Sequence, residues 1–204
     1  MGMKRRTFLT MTGMTALLAA CGQWKVGYDN APDAAQAAGW RVTSVRVTVP
    51  QSLSVSEENV LAPRADIVWQ GEPAGDRRAQ VAQIVETGAR RGAAGLKGGR
   101  PVRLDITMLR FHALTQRARE KLSSSGVHSI DMTVRVIDVA TGQVLAEEPR
   151  LEADLPALSG KQAIAADQQG QTQKVRITNH IAVVIASWLG TGPDARGSFS
   201  RIGV

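Results

Sequence analysis

Apolar residues along the chain recur at two spacings. Alternation at Val45, Val47 and Val49, with Thr and Arg between, predicts a half-buried strand over 41–49 that Pro50 stops. A polar stretch with Pro63 follows over 51–66 and reads as loop. Ile67, Val68 and Trp69 form a brief apolar burst, a short strand before the turn at 70–75. From Asp76 to about Leu96 the spacing changes to that of a helix. Val81, Ile84, Val85, Gly88, Ala89, Gly92 and Leu96 fall on one stripe, and Asp76 is suited to cap it. Gly88 and Gly92 on that stripe predict close approach to a sheet. Over 101–117 a long strand follows, with Val102, Leu104, Ile106 and Met108 on one face. Leu109 and Phe111 fall on the other, so the distal half is apolar on both sides or carries a bulge. After the Ser123–Gly126 turn, 127–137 alternates with Ile130, Met132, Val134 and Val136 inward. A turn at 138–142 leads to a further strand over 143–147. The stretch 158–170, rich in Gly, Ala and Gln, reads as a mobile loop, either a plain linker or a lid over a partner or ligand. A second helix over 172–189 carries the stripe Ile177, Ile181, Val184, Ile185 and Trp188.

The order β-(short β)-α-β-β-β-α predicts an α+β domain, a small antiparallel sheet with two helices packed on one face. Its expected limits are 40–190. Residues 21–39 lack a clear period and read as a flexible tether, and 191–204 as a disordered tail.

The first twenty residues have another pattern. Lys4, Arg5 and Arg6 form a positive cluster. An uncharged run of apolar and small residues then ends in Leu18, Ala19, Ala20 and Cys21. The run is shorter than the roughly 20 residues a membrane span needs, and matches the apolar region of an export signal. A branched apolar residue, two small residues and a cysteine form a lipobox, in which the thiol takes a diacylglycerol. Cys21 is the only cysteine of the chain, so an internal disulfide is excluded and the fold must hold by packing. Arg5 and Arg6, with Thr7, Phe8 and Leu9 after them, also fit a twin-arginine signal; Sec and twin-arginine export both remain open.

Charge changes the picture little. The net +7 falls to +4 without Lys4, Arg5 and Arg6. Arg77, Arg78, Arg90, Arg91, Lys97 and Arg100 concentrate basic charge between 76 and 100, either as a solvated helix face or as a patch for anionic lipid. No aromatic residue interleaves it, and no nucleic acid partner is expected.

Four segments carry a resemblance: 66–77 (Asp-Ile-Val-Trp-Gln-Gly-Glu-Pro and onward to Gly75, Asp76 and Arg77), 110–115 (Arg-Phe-His-Ala-Leu-Thr), 126–130 (Gly-Val-His-Ser-Ile) and 170–178 (Gly-Gln-Thr-Gln-Lys-Val-Arg-Ile-Thr). In these the chain resembles an uncharacterised family of candidate lipoproteins of alphaproteobacteria, assigned to a domain of unknown function. The resemblance implies a shared fold and brings no activity, cofactor or catalytic residues.

No P-loop, GxGxxG, HExxH, CxxC or GxSxG occurs, no cofactor is expected and no catalytic residue is assigned. Parity puts His112 on the Leu104 face and His128 on the Ile130 face, so a hairpin about the serine turn would bring the imidazoles together. A metal would need a third ligand from Asp66 or Asp76, and no metal site is assigned. The two histidines either serve as rim residues or, with Arg110 and helped by Arg77 and Arg78, contact an anion. Trp69 is a ligand platform or a core anchor. His180 flanks the second helix's stripe. The leading expectation is a non-enzymatic lipoprotein, held to the bilayer by acylated Cys21, facing the periplasm and supporting an envelope protein partner. Gly22 in place of an aspartate points to the outer rather than the inner membrane. The alternatives are a small-ligand or anion-binding lipoprotein using Arg110, His112 and His128, and a periplasmic hydrolase.

Overall fold

The computed structural model describes residues 24–123 and 126–199. Its organising element is a thirteen-residue strand, β5 (Arg100–His112), flanked on both edges. On one side β6 (Val127–Asp138) pairs with it antiparallel over nearly its whole length. On the other, two partners share the edge, both parallel: β2 (Trp40–Thr48) along residues 100–107, and β4 (Ile67–Val68) along Phe111 and His112. A two-residue β3 (Val55–Ser56) extends that edge beside β4. Beyond β6 lie β7 (Val144–Ala153), then β1 (Trp24–Gly27), then β9 (Gly197–Phe199), all antiparallel. The short β8 (Leu155–Pro156) pairs with the start of β6.

Among the described residues the sheet is therefore nine-stranded and mixed, with five helices, and the expectation of a small antiparallel sheet bearing two helices is corrected. The parallel pairs are the physical reason. A strand parallel to its successor needs a crossover, and α2 (Arg77–Gly92) supplies it between β2 and β5. Alternation along β2 fixes which side chains face inward but says nothing of strand direction.

The remaining differences lie where local pattern is weak. The stretch 158–170, read as loop, holds α4 (Gly160–Gln168), and α3 (Gln116–Lys121) occupies the expected end of the long strand. The expected tether carries β1 and α1 (Ala34–Ala38), and the expected tail carries β9. Long-range contacts hold this N-terminal segment. The buried Glu148 carboxylate accepts from the Asp29 and Asn30 amides at 2.9 and 2.6 Å. Asp154 accepts from the Lys25 amide, Tyr28 and Ser187 share a 2.7 Å hydrogen bond, and the Trp188 indole donates to the Asn30 carbonyl. β7 runs past its expected end because irregular pairing around Pro149 accommodates a residue with no amide hydrogen.

One face of the sheet is apolar. Val102, Leu104, Ile106 and Met108 on β5 meet Ile130, Met132, Val134 and Val136 on β6, all buried. α2 and α5 (Gln173–Trp188) form the layer above them. Asp76 and Thr172 cap the two helices, each accepting an amide in the first turn. The stripe of α2 is buried as its spacing predicts, but Gly88 and Gly92 face α5 rather than a strand. A Cβ on Gly88 would stand 2.8 Å from Ile181 and from the Thr178 carbonyl. One on Gly92 would strike the Ala182 carbonyl. No helix among the described residues is long and apolar enough to cross a membrane.

Backbone has little freedom to yield, so Gly92→Ala is expected to overpack the helix pair. A strain of about 1–3 kcal/mol outweighs the gain of roughly 1 kcal/mol in helix propensity. Thermal unfolding should show Gly92→Ala melting several degrees below wild type. Gly99→Ala, whose Cβ meets nothing within 4 Å, should match wild type. Equal melting of the two would remove the close-packing argument.

Candidate functional site

Two of the residues singled out by sequence are structural. Trp69 is fully buried, stacked edge to face on Phe111 with centroids 5.9 Å apart. Its indole N–H donates to Glu72 at 3.0 Å, and its ring lies over Gly71. It anchors the core and offers no platform. Arg77 is also buried, with a forked pair of hydrogen bonds to Glu57 at 2.8 and 2.9 Å. Its Nη1 donates to the carbonyls of Glu72 and Pro73 and to Gln80. A guanidinium so engaged clamps the 57–73 loops and has no fork left for an anion. Four more residues of the basic stretch have partners. Arg78 donates to backbone carbonyls at 50–53, Arg90 pairs with Glu86, Arg91 bonds Asn179, and Arg100 pairs with Asp138.

Arg110, His112 and His128 do not converge. Leu109 is an extra residue in β5: Met108 pairs with Met132 and Arg110 with Asp131. This bulge reverses the parity of the residues beyond it. Phe111 turns into the core, while Arg110 and His112 turn to the polar face, His112 opposite Ser129. His128, with no bulge before it, stays on the Ile130 face and is 1% exposed. The two imidazoles lie on opposite faces of the sheet.

On the polar face Arg110 Nη2 lies 2.8 Å from His112 Nδ1. Guanidinium only donates, so Nδ1 accepts and His112 is neutral with its proton on Nε2. Burial, and then the Arg110 charge, lower its proton affinity. The pair lines an open cleft of about 220 Å³ with Trp24, Leu61, Leu114 and Ser129. Leu61 is 51% exposed, and its neighbour Val60 is exposed too. The Val60 carbonyl is fixed by the Thr115 hydroxyl at 2.7 Å.

His128 belongs to a second constellation. It lines a tight gap with Arg119 of α3, Gln173 and Arg176 of α5, and Ala163 and Ala166 of α4. No water fits there. Burial chiefly, then the charges of Arg176 and Arg119, with His180 and His112 adding less, lower the His128 pKa to about 3. Its Nδ1, the Gln173 Oε1 and the Arg119 Nε are buried without a partner. Arg119 pairs with Asp167 at 2.8 Å, whereas among the described residues Arg176 has a hydrogen bond only to the Pro156 carbonyl at 3.0 Å. Burial and the neighbouring Arg119 charge lower the proton affinity of Arg176. Sequence reading missed Arg119, Gln173 and Arg176. The last two and His128 lie in segments that carry the family resemblance, which was the available signal. Among the described residues no three His, Cys, Asp or Glu side chains gather as metal ligands. Cys21 and the signal residues Lys4, Arg5, Arg6, Leu18, Ala19 and Ala20 lie outside the described residues.

Against known proteins, a family model described as a family of unknown function, DUF6778, matches residues 40–204. No curated protein matches the chain. A solved candidate lipoprotein of Caulobacter crescentus is 16% identical with a TM-score of 0.34, covering 77% of this chain and 95% of its own. The PelC dodecamer of Paraburkholderia phytofirmans is 12% identical with a TM-score of 0.35, covering 80% and 96%. Protein XCC0632 of Xanthomonas campestris, of family DUF330, is 14% identical with a TM-score of 0.40, covering 77% and 90%.

A histidine held neutral in the fold but free to ionise when unfolded makes stability depend on pH. Between its folded value of about 3 and its unfolded value near 6.5 the unfolded chain binds the extra proton. Stability is fully present above about pH 6.5 and falls as pH drops toward 3, by a few kcal/mol in all. Denaturant titrations at stepped pH should therefore show a flatter dependence over this window in His128→Leu. Parallel curves for the two proteins would mean that His128 is not buried neutral.

Proposed function

The chain belongs to the DUF6778 family of unknown function, and from that premise we propose that it is a lipid-anchored, periplasm-facing envelope protein with a non-enzymatic binding role. The observation that carries this reading is the distance between the lipobox and the fold. β1 begins at Trp24, three residues after Cys21. Three residues reach about 10 Å when fully extended. A lipid on Cys21 therefore keeps the Trp24 end of β1 against the bilayer, with no long tether between. Trp24 lines the cleft that also holds Leu61, so an apolar rim with exposed Val60 and Leu61 stands on the anchored side. Tryptophan and aliphatic side chains suit the membrane interface.

The non-enzymatic reading is supported by how the ionisable groups are engaged. The lone pair with which His112 would act as a base already accepts from Arg110. The His128 ring is buried where no water reaches it. The protein partner would dock on the polar face of the sheet beside the cleft, in the same leaflet as the anchor. Gly22 after the acylated cysteine favours the outer membrane for that leaflet.

Intact-mass analysis of the protein extracted from its own envelope should show a diacylglyceryl mass on Cys21, with membrane recovery abolished in Cys21→Ala. Crosslinking through a photoreactive residue at Leu61 should then capture lipid or one defined envelope protein. An unmodified Cys21 in a freely soluble protein would end the proposal.

A further inference from the structure

The buried cluster around His128 plays no part in the anchoring role. We propose that α4 is a lid over an oxyanion-binding site formed by Arg119, His128, Gln173 and Arg176, and that the ligand is a small oxyanion that also carries an O–H donor. The void between these residues admits no water, so the partnerless buried atoms of Arg119, His128 and Gln173 are not satisfied by solvent as they stand. A buried polar atom left without a partner is costly, and native proteins rarely gather three in one place. The cluster also has surplus positive charge. Two guanidiniums lie close enough that Arg119 depresses the proton affinity of Arg176, and among the described residues Asp167 pairs with Arg119 while no carboxylate is paired with Arg176. Two arginines supply the charged donors that bind an oxyanion. Gln173 points the other way. Its Nε2 donates to the Leu114 carbonyl at 3.3 Å, leaving Oε1 as an acceptor that a ligand hydroxyl would fill.

The covering helix is built to move. Of its nine residues α4 buries only Ala163, and Ile164 is 60% exposed. Gly160 and Gly170, one at each end, have φ of +53° and +72°, in the region where glycine turns without strain. Ser159 caps the helix without a side-chain hydrogen bond to its amides. The charged clasp is the Arg119–Asp167 pair, in which the lid's own carboxylate occupies the guanidinium that a ligand would take. An open cleft of about 480 Å³, lined by Gln116, Arg119, Ile164 and Asp167, leads to that pair from solvent. An incoming anion displaces Asp167, the lid swings on its glycines, and the ligand reaches Arg176 and Gln173.

The test uses the full chain purified in detergent, titrated with inorganic phosphate and, at matched ionic strength, with sulfate. Near neutral pH phosphate keeps an O–H and sulfate does not. Phosphate should raise the melting temperature and bind in calorimetry, and sulfate should bind at least tenfold more weakly. Arg176→Gln and Arg119→Gln should each weaken phosphate binding by roughly tenfold or more, as expected for loss of a charge-assisted hydrogen bond. Asp167→Asn, which removes the competing carboxylate, should tighten it. The last variant keeps the test informative if an arginine substitution impairs folding. Absence of phosphate binding in both wild type and Asp167→Asn overturns the site. Binding unchanged by either arginine substitution does the same. Sulfate binding as tightly as phosphate overturns the assigned ligand class.

Discussion

One inserted residue decides what each face of the sheet presents. β5 is the strand against which β2, β4 and β6 are all aligned, and Leu109 interrupts its alternation. Before the bulge the even-numbered residues face the helices. After it the odd-numbered Phe111 fills the core beside Trp69, while Arg110 and His112 stand on the polar face. Without the bulge an arginine and a histidine would be driven under the helix layer and a phenylalanine out into water. Burying unpaired charge there would cost several kcal/mol, so the register of the distal sheet is fixed by this one position. The two polar constellations lie on opposite sides of the sheet for the same reason.

The helix layer is held by closeness rather than by large side chains. Gly88 and Gly92 leave no room for a Cβ against Thr178, Ile181, Ala182 and Ile185 of α5. α5 therefore has a fixed seat, and its first turn brings Gln173 and Arg176 to the end of the core where His128 emerges from β6. The contrast with α4 is physical. One helix is locked by backbone contact along two turns, and the other rests on one alanine and one ion pair.

Much of the layout was legible wherever a segment's own pattern decides its structure. The stripe of α2, its Asp76 cap, the stripe of α5 and the inward residues of β6 all follow from periodicity. Three kinds of information were not local. Strand direction leaves no trace in an alternating sequence, so the parallel β2–β5 pair could not be read from Val45, Val47 and Val49. The two-residue β3, and terminal strands such as β1 and β9, exist because a neighbour's edge is available to pair with. α4 is rich in Ala and Gln and lacks an apolar stripe, because almost none of it is buried. The candidate residues divide along the same line. Trp69 and Arg77 are the kinds of residue that function favours, yet their partners, Phe111 and Glu57, lie far along the chain and make them structural. The bulge that separates His112 from His128 stood as one of two alternatives in the pattern of β5.

The two ends of the described chain finish side by side. Trp24 is in register with Phe199, and β1 is bonded to β7 on one edge and β9 on the other. Contacts that join the most distant parts of a chain carry the largest loop-closure entropy and are slow to form. Residues 197–199 are also the last of this sheet to be synthesised. β1 thus gains its second neighbour only after every other strand of the sheet has been made. Until then β1 is held on one edge alone, by β7, and the sheet is one strand short at this end.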